Sequence, residues 1–228
     1  MLEYIWLDDK SPILNQLPKN FKSAAILLHP FIQMPLGWEK SKRKNEFEHI
    51  YPTDQEILQS GKPISWETMR KQSGLNNLEE LAIALKSSIG ALNENSLRKD
   101  LAKKLVACKK DDLYYPYEDF PSVFLITDLL NVLSSKGAKQ LSYSDPLLDK
   151  SEIVDVNQLD PLKIFELALY ELLITDENMD FAFMNVYDSF ITIIMGKDDT
   201  LNDIVKTMSL EAIICDKNTY INWYSKAY

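Results

Sequence analysis

The 228-residue chain is 46% hydrophobic and 26% charged, carries a net charge of −9 and has six glycines, the composition of a folded chain with a sizeable core and one that argues against glycine-rich loops or low-complexity linkers. Its first ten residues, MLEYIWLDDK, hold acids where a secretory leader holds bases, and no apolar run approaches the roughly 18 to 20 residues that span a bilayer, so a soluble cytoplasmic protein with no membrane partner is expected. Residues 1–110 hold 17 basic and 13 acidic side chains while residues 111–228 hold 8 and 21, so the C-terminal half repels nucleic-acid phosphates and suits either a basic protein partner or solubility alone.

In chain order, Glu3 to Leu7 reads as a strand and Ala24 to Phe31 as a second apolar run, with Pro18, Pro30 and Pro35 breaking any long helix. EKSKRKNEFE (Glu39 to Glu48) is a charged loop or exposed helix whose cluster Lys40, Lys42, Arg43 and Lys44 is a solvated face or an anion contact. Thr53 with Glu56 forms a capping box, and Gly61 and Pro63 stop that helix. Ser65 caps Trp66 to Gln72, Gly74 closes it, and Asn77 with Glu80 opens a helix with Leu78, Leu81, Ala82, Leu85 and Ile89 on one face. The pair has the outline of a helix-turn-helix DNA reader. Glu79 and Glu80, however, stand where such a helix needs donors to bases and phosphates, so no nucleic-acid partner is expected.

Ser96 is expected to cap a helix running to about Lys110, with Leu97, Leu101, Leu105 and Cys108 inward. The densest aromatic segment follows, YYPYEDFP from Tyr114 to Pro121. Its prolines hold it extended, and it reads either as a ligand-facing loop with Tyr117, Glu118 and Asp119 supplying polar groups, or as a rigid connector whose Asp119 caps the next helix. That helix, Ser122 to Ser135, is apolar on most sides and is expected to be central and buried. A short strand at Gln140 to Tyr143 precedes a helix from Asp160 and Pro161 to about Thr175, with Leu162, Phe165, Leu169, Leu172 and Leu173 inward.

DENMD (Asp176 to Asp180) matches the first half of a calcium-binding loop, but Phe181 stands where that loop requires glycine and Tyr187 where it requires glutamate. A turn is expected instead, leading into a hairpin of Phe181 to Tyr187 and Phe190 to Met195 through Asp188 and Ser189. Asp199 or Thr200 caps a short helix to Met208, Glu211 to Cys215 makes another strand, and Tyr220, Trp223, Tyr224 and Tyr228 seal an edge of the core.

The familiar nucleotide-binding, serine hydrolase and zincin motifs are absent. Cys108 and Cys215 form neither a disulfide framework nor a CxxC pair, and two histidines, His29 and His49, are too few for a zinc site of nitrogen and sulfur ligands. No metal or other cofactor is therefore expected, although carboxylates converging in space remain open for magnesium. His29, in an apolar run before Pro30, is a buried hydrogen-bonded histidine or a general base; His49 is exposed.

YYPYEDFP, DENMDFAF (Asp176 to Phe183), YDSF (Tyr187 to Phe190) and CDKNTYINWY (Cys215 to Tyr224) resemble recurring stretches of an uncharacterised family of Bacillus-like bacteria with no assigned activity. The resemblance implies a bacterial cytoplasmic protein and transfers no catalytic or binding residue. A single α+β domain over residues 1–228 is expected, with a helical subregion at 53–136 and a C-terminal antiparallel sheet packed with helices. Two functions follow. The first is a non-enzymatic binding protein whose acidic C-terminal half meets a basic partner. The second is a small-molecule-binding protein or hydrolase-like enzyme with a pocket near Tyr114 to Asp119, using Tyr117, Glu118 and Asp119, His29 as base and Trp38 as a wall. The residues leave open whether the chain is an enzyme, and they do not set its oligomeric state or strand order.

Overall fold

The computed structural model describes residues 2–167 and 171–225. In chain order the elements are α1 (Ile13–Gln16), β1 (Ser23–Leu28), β2 (Phe31–Gln33), α2 (Trp38–Lys42), α3 (Asp54–Ser60), β3 (Lys62–Ile64), α4 (Trp66–Ser73), α5 (Leu78–Ile89), α6 (Lys99–Ala107), β4 (Leu113–Tyr114), α7 (Val123–Ser135), β5 (Gln140–Asp145), β6 (Lys150–Asp155), a 3₁₀ turn (Val156–Gln158), α8 (Pro161–Ile164), β7 (Leu173–Asp176), β8 (Phe181–Asn185), β9 (Ile191–Gly196), α9 (Leu201–Thr207) and β10 (Ala212–Ile214). The architecture is α+β, and two compact units divide it. One comprises His29 and the residues before it together with Pro116–Ile221; the other comprises Pro30–Tyr115 and the tail from Asn222.

The first unit is built on a seven-stranded antiparallel sheet in the order β10-β1-β9-β8-β7-β5-β6. Although most of these strands are C-terminal, β1 lies inside the sheet, paired with β9 from Ser23↔Gly196 to Leu28↔Ile191 and with β10 on its other side. Every residue of β7, β8 and β9 is buried, which is why these strands read as continuous apolar runs and not as alternation. On one side of the sheet α7 packs Leu125, Ile126, Leu129 and Leu133 into a core with Leu141, Tyr143, Ile174, Phe183 and Ile194. The hairpin of β8 and β9 runs in register from Phe181↔Gly196 to Asn185↔Thr192. It is entered by the expected turn, in which Asp176 Oδ1 accepts from the amides of Asp180 (2.9 Å) and Phe181 (2.7 Å).

Two expectations are corrected in this unit. Residues 3–7 form no strand, because Tyr4 alone turns inward and donates its hydroxyl to the carbonyl of Asn185 (2.7 Å) without a ladder partner. The helix drawn from Asp160 to Thr175 stops at Ile164, and Leu173–Asp176 is instead a strand between β5 and β8. The start was legible, since Asp160 caps the amides of Leu162 and Lys163; the end was not, because the LLIT run satisfies helical spacing while its β-branched residues fit a ladder buried on both faces. Leu169 lies outside the described residues.

The second unit combines a three-stranded sheet, β3-β2-β4, with helices α3 to α6. The Thr53–Glu56 capping box is reciprocal, and Ser65 and Asn77 accept from the amides of Thr68 and Glu80. Gly74 ends α4 at φ +64°, a left-handed conformation that favours glycine. The helix expected from Ser96 begins at Lys99, because Asn93 Oδ1 takes the Ser96 amide (3.0 Å) and closes a separate turn first. Trp223 packs on Trp66 with ring centroids 6.3 Å apart, so the aromatic tail seals this unit's core, Tyr228 being outside the described residues.

Candidate functional site

The polar groups of the first unit converge where β8 ends. Asn185, fully buried, is the organising side chain: its Oδ1 accepts from the amide of Leu172 (2.6 Å), its Nδ2 donates to the carbonyl of Asp119, and its own carbonyl accepts from Tyr4. An asparagine can fill these roles because its amide offers acceptor and donor at once. Asp119, at φ +64°, is tied to the adjoining turn on both sides, its amide donating to the carbonyl of Ser189 (3.1 Å) and its Oδ1 accepting from the amide of Asp188. It therefore does not cap the following helix, whose N-cap position is Ser122.

His29 fastens the start of the same loop. It is wholly buried, with Nδ1 3.3 Å from the carbonyl of Tyr117 and Nε2 2.9 Å from Thr192 Oγ1. Burial pushes its pKa down to about 4, against the partial opposition of the Tyr117 contact, so the ring is neutral at physiological pH. With both ring nitrogens engaged, His29 holds the loop onto β9.

Within electrostatic reach of Asp119 is Glu171, 2% exposed, whose Oε2 has no hydrogen-bond partner among the described residues. Burial raises its pKa, and the charges of Asp119 and Asp145 raise it further. The phenol of Tyr4 is also held above its ordinary value, by burial first and then by Glu171 and Asp119. Among the described residues no ion pair reaches Glu171 or Asp119. No group of three or more histidine, cysteine, aspartate or glutamate side chains there is placed to hold a metal. A buried carboxyl with an open oxygen and further carboxyls nearby attracts a cation or an N–H donor.

Of the residues singled out from the sequence, His29 and Tyr117 are thus joined directly, and Glu118 and Asp119 follow in the same loop, Asp119 being held by Asn185, Asp188 and Ser189 instead. Trp38 belongs to the other unit, where its ring stands edge-on to Tyr114 at 6.0 Å and Lys42 Nζ lies 5.7 Å from it. Two of the four cations of the nearby basic cluster are paired: Arg43 with Glu39 at 2.6 Å and Lys42 with Glu56 at 2.7 Å. Tyr4, Glu171 and Asn185 were missed. Their signal was a polar group inside an apolar run, YELLIT for Glu171 and FAFMN for Asn185, since a polar side chain placed among buried neighbours needs a partner.

The family described as a protein of unknown function, DUF2711, matches residues 9–225. The uncharacterized protein YwbB of Bacillus subtilis (strain 168) is 47% identical over 224 residues, covering 98% of this chain and 100% of that protein. No solved structure matches the chain. No helix among the described residues is long and apolar enough to cross a membrane.

Proposed function

We propose that this chain, which belongs to the DUF2711 family, is a binding protein for small cationic molecules, with the Glu171 carboxyl as the contact group and Asp119 and Asp145 supplying the surrounding negative field. The observation that carries this is the buried Glu171 Oε2, without a hydrogen-bond partner among the described residues and within electrostatic reach of two further carboxyls. A protonated amine or a guanidinium would satisfy that oxygen and offset the burial, and with it the neighbouring charges, that hold the Glu171 pKa up. The loop from Tyr117 to Phe120, anchored by His29 and Asn185, is the cover of the site.

The test is a thermal-shift series on the full chain with putrescine, spermidine, agmatine and argininamide as probes. A bound amine stabilises the fold by roughly 2.7 kcal/mol at a hundred times its dissociation constant. At least one probe is expected to raise the melting temperature, and Glu171→Gln is expected to abolish that response. If none of the probes stabilises the chain, or if Glu171→Gln responds like the wild type, the proposal fails.

A second reading takes a basic protein as the partner. It is supported by the exposed acids Asp149, Glu152, Asp155, Asp160 and Glu166, which outnumber Lys150 and Lys163 on the same stretch. Reversing these acids should remove a captured basic partner from pull-downs; capture that is unchanged excludes this surface.

A further inference from the structure

The β6 strand is the outer strand of the seven-stranded sheet, six residues long and without proline, and Ser151, Glu152, Ile153 and Asp155 along it are exposed. Its hydrogen-bonding parity can be read from one contact. The amide of Val156 donates to the carbonyl of Lys139 (3.0 Å), and because antiparallel pairs alternate between bonded and non-bonded positions, Lys150, Glu152 and Val154 turn their backbone groups toward β5. Ser151, Ile153 and Asp155 therefore turn theirs outward. Such an edge is a template for another strand unless something blocks it.

We propose that β6 pairs antiparallel with β6 of a second copy across a two-fold axis at Ile153, extending the sheet through a homodimer. The choice of a second copy rests on self-complementarity. A two-fold axis perpendicular to the sheet keeps each side chain on its own face, so only residues of like parity can oppose one another. Centring on Ile153 opposes Ile153 with Ile153 and Ser151 with Asp155 on each side, and so uses all three outward-facing residues. It forms about six backbone hydrogen bonds, two for each opposed pair.

The side chains agree with that register. Ile153 is 59% exposed and would be covered by its symmetry mate. Ser151 meets Asp155 as donor and acceptor, while Glu152 stands opposite Val154, so no like charges are directly opposed. Ile153 also borders a hollow of about 220 Å³ that Leu2, Ser142 and Met179 line, and the mate's apolar side chain would shield it from water. The edge at the far side of the sheet, β10, is only three residues long and offers far less backbone.

Sedimentation equilibrium of the full chain tests this. The wild type is expected at twice the 26.3 kDa chain mass, dissociating on dilution. Ile153→Pro is expected to be monomeric, because it removes an outward amide at the symmetry axis while leaving the bonds to β5 in place. Ile153→Arg, which leaves the backbone intact and sets two like charges face to face, should be monomeric too, with unchanged circular dichroism. A wild type that is monomeric up to its solubility limit overturns the proposal. So does a dimer that survives in a folded Ile153→Arg variant.

Discussion

Replacing Asn185 by alanine tests the central claim about the site, that one buried side chain holds the Tyr117–Phe120 loop to the sheet. The loss has two parts. The Leu172 amide, whose residue is 1% exposed, loses its acceptor at 2.6 Å, and a buried unsatisfied donor costs about 1–3 kcal/mol. The carbonyl of Asp119 loses its donor in a half-exposed loop, where water offers a substitute and the cost is about 0.5–1 kcal/mol. The Tyr4 hydroxyl is unaffected because it bonds the backbone carbonyl of Asn185, which alanine keeps. The sum is about 3 kcal/mol, which for a chain of this size lowers the melting temperature by roughly 6–12 °C. Thermal unfolding followed by circular dichroism measures it, and hydrogen exchange at the amides of Leu172 and Asp188 locates it. Asn185→Asp, which keeps an acceptor for Leu172 while replacing the donor to Asp119 with a carboxyl oxygen, should retain a slow Leu172 amide. A melting temperature for Asn185→Ala within a degree or two of the wild type, with Leu172 still protected, would refute the reasoning.

Two further outcomes follow from the buried titrating groups. His29 has a folded pKa of about 4 against an ordinary 6.5, so the unfolded chain takes up its proton first as the pH falls. The stability this confers is complete above about pH 6.5 and disappears by about pH 4, amounting to about 3 kcal/mol; urea midpoints for His29→Gln should therefore change less between pH 7 and pH 5 than those of the wild type, and equal slopes would contradict the assignment. Burial pushes the thiol of Cys215 up to about 12 and raises that of half-buried Cys108 as well, so iodoacetamide should label Cys108 well before Cys215 in the folded chain, as mass spectrometry of the modified peptides would show; labelling in the reverse order would place Cys215 at the surface.

Local chemistry was read correctly at most helix ends, the caps expected of Ser96 and Asp119 excepted. Thr53, Ser65, Asn77 and Asp160 announce the starts of α3, α4, α5 and α8, and Gly74 announces an end, because each acts on backbone groups within four residues. The β8–β9 hairpin was legible for the same reason. The loop of YYPYEDFP was singled out by its density of aromatic and acidic residues, but the partners of Asp119 lie 66 to 70 positions away at Asn185, Asp188 and Ser189, a separation that no local pattern records.

What the sequence by itself determined is the α+β character of the chain, the caps, the terminal hairpin and the family, since all of these reside in spacing and residue type. Only the tertiary structure decided that β1 enters the sheet between β9 and β10, that Leu173–Asp176 is a strand, and that Glu171 is buried within electrostatic reach of Asp119. The reason is physical: a run of buried apolar residues suits a helix or a two-sided strand equally well, and the choice belongs to the neighbours that offer hydrogen bonds along its edges. A carboxyl's environment is likewise set by the fold, and the charges that act on Glu171, those of Asp119 and Asp145, come from distant parts of the chain.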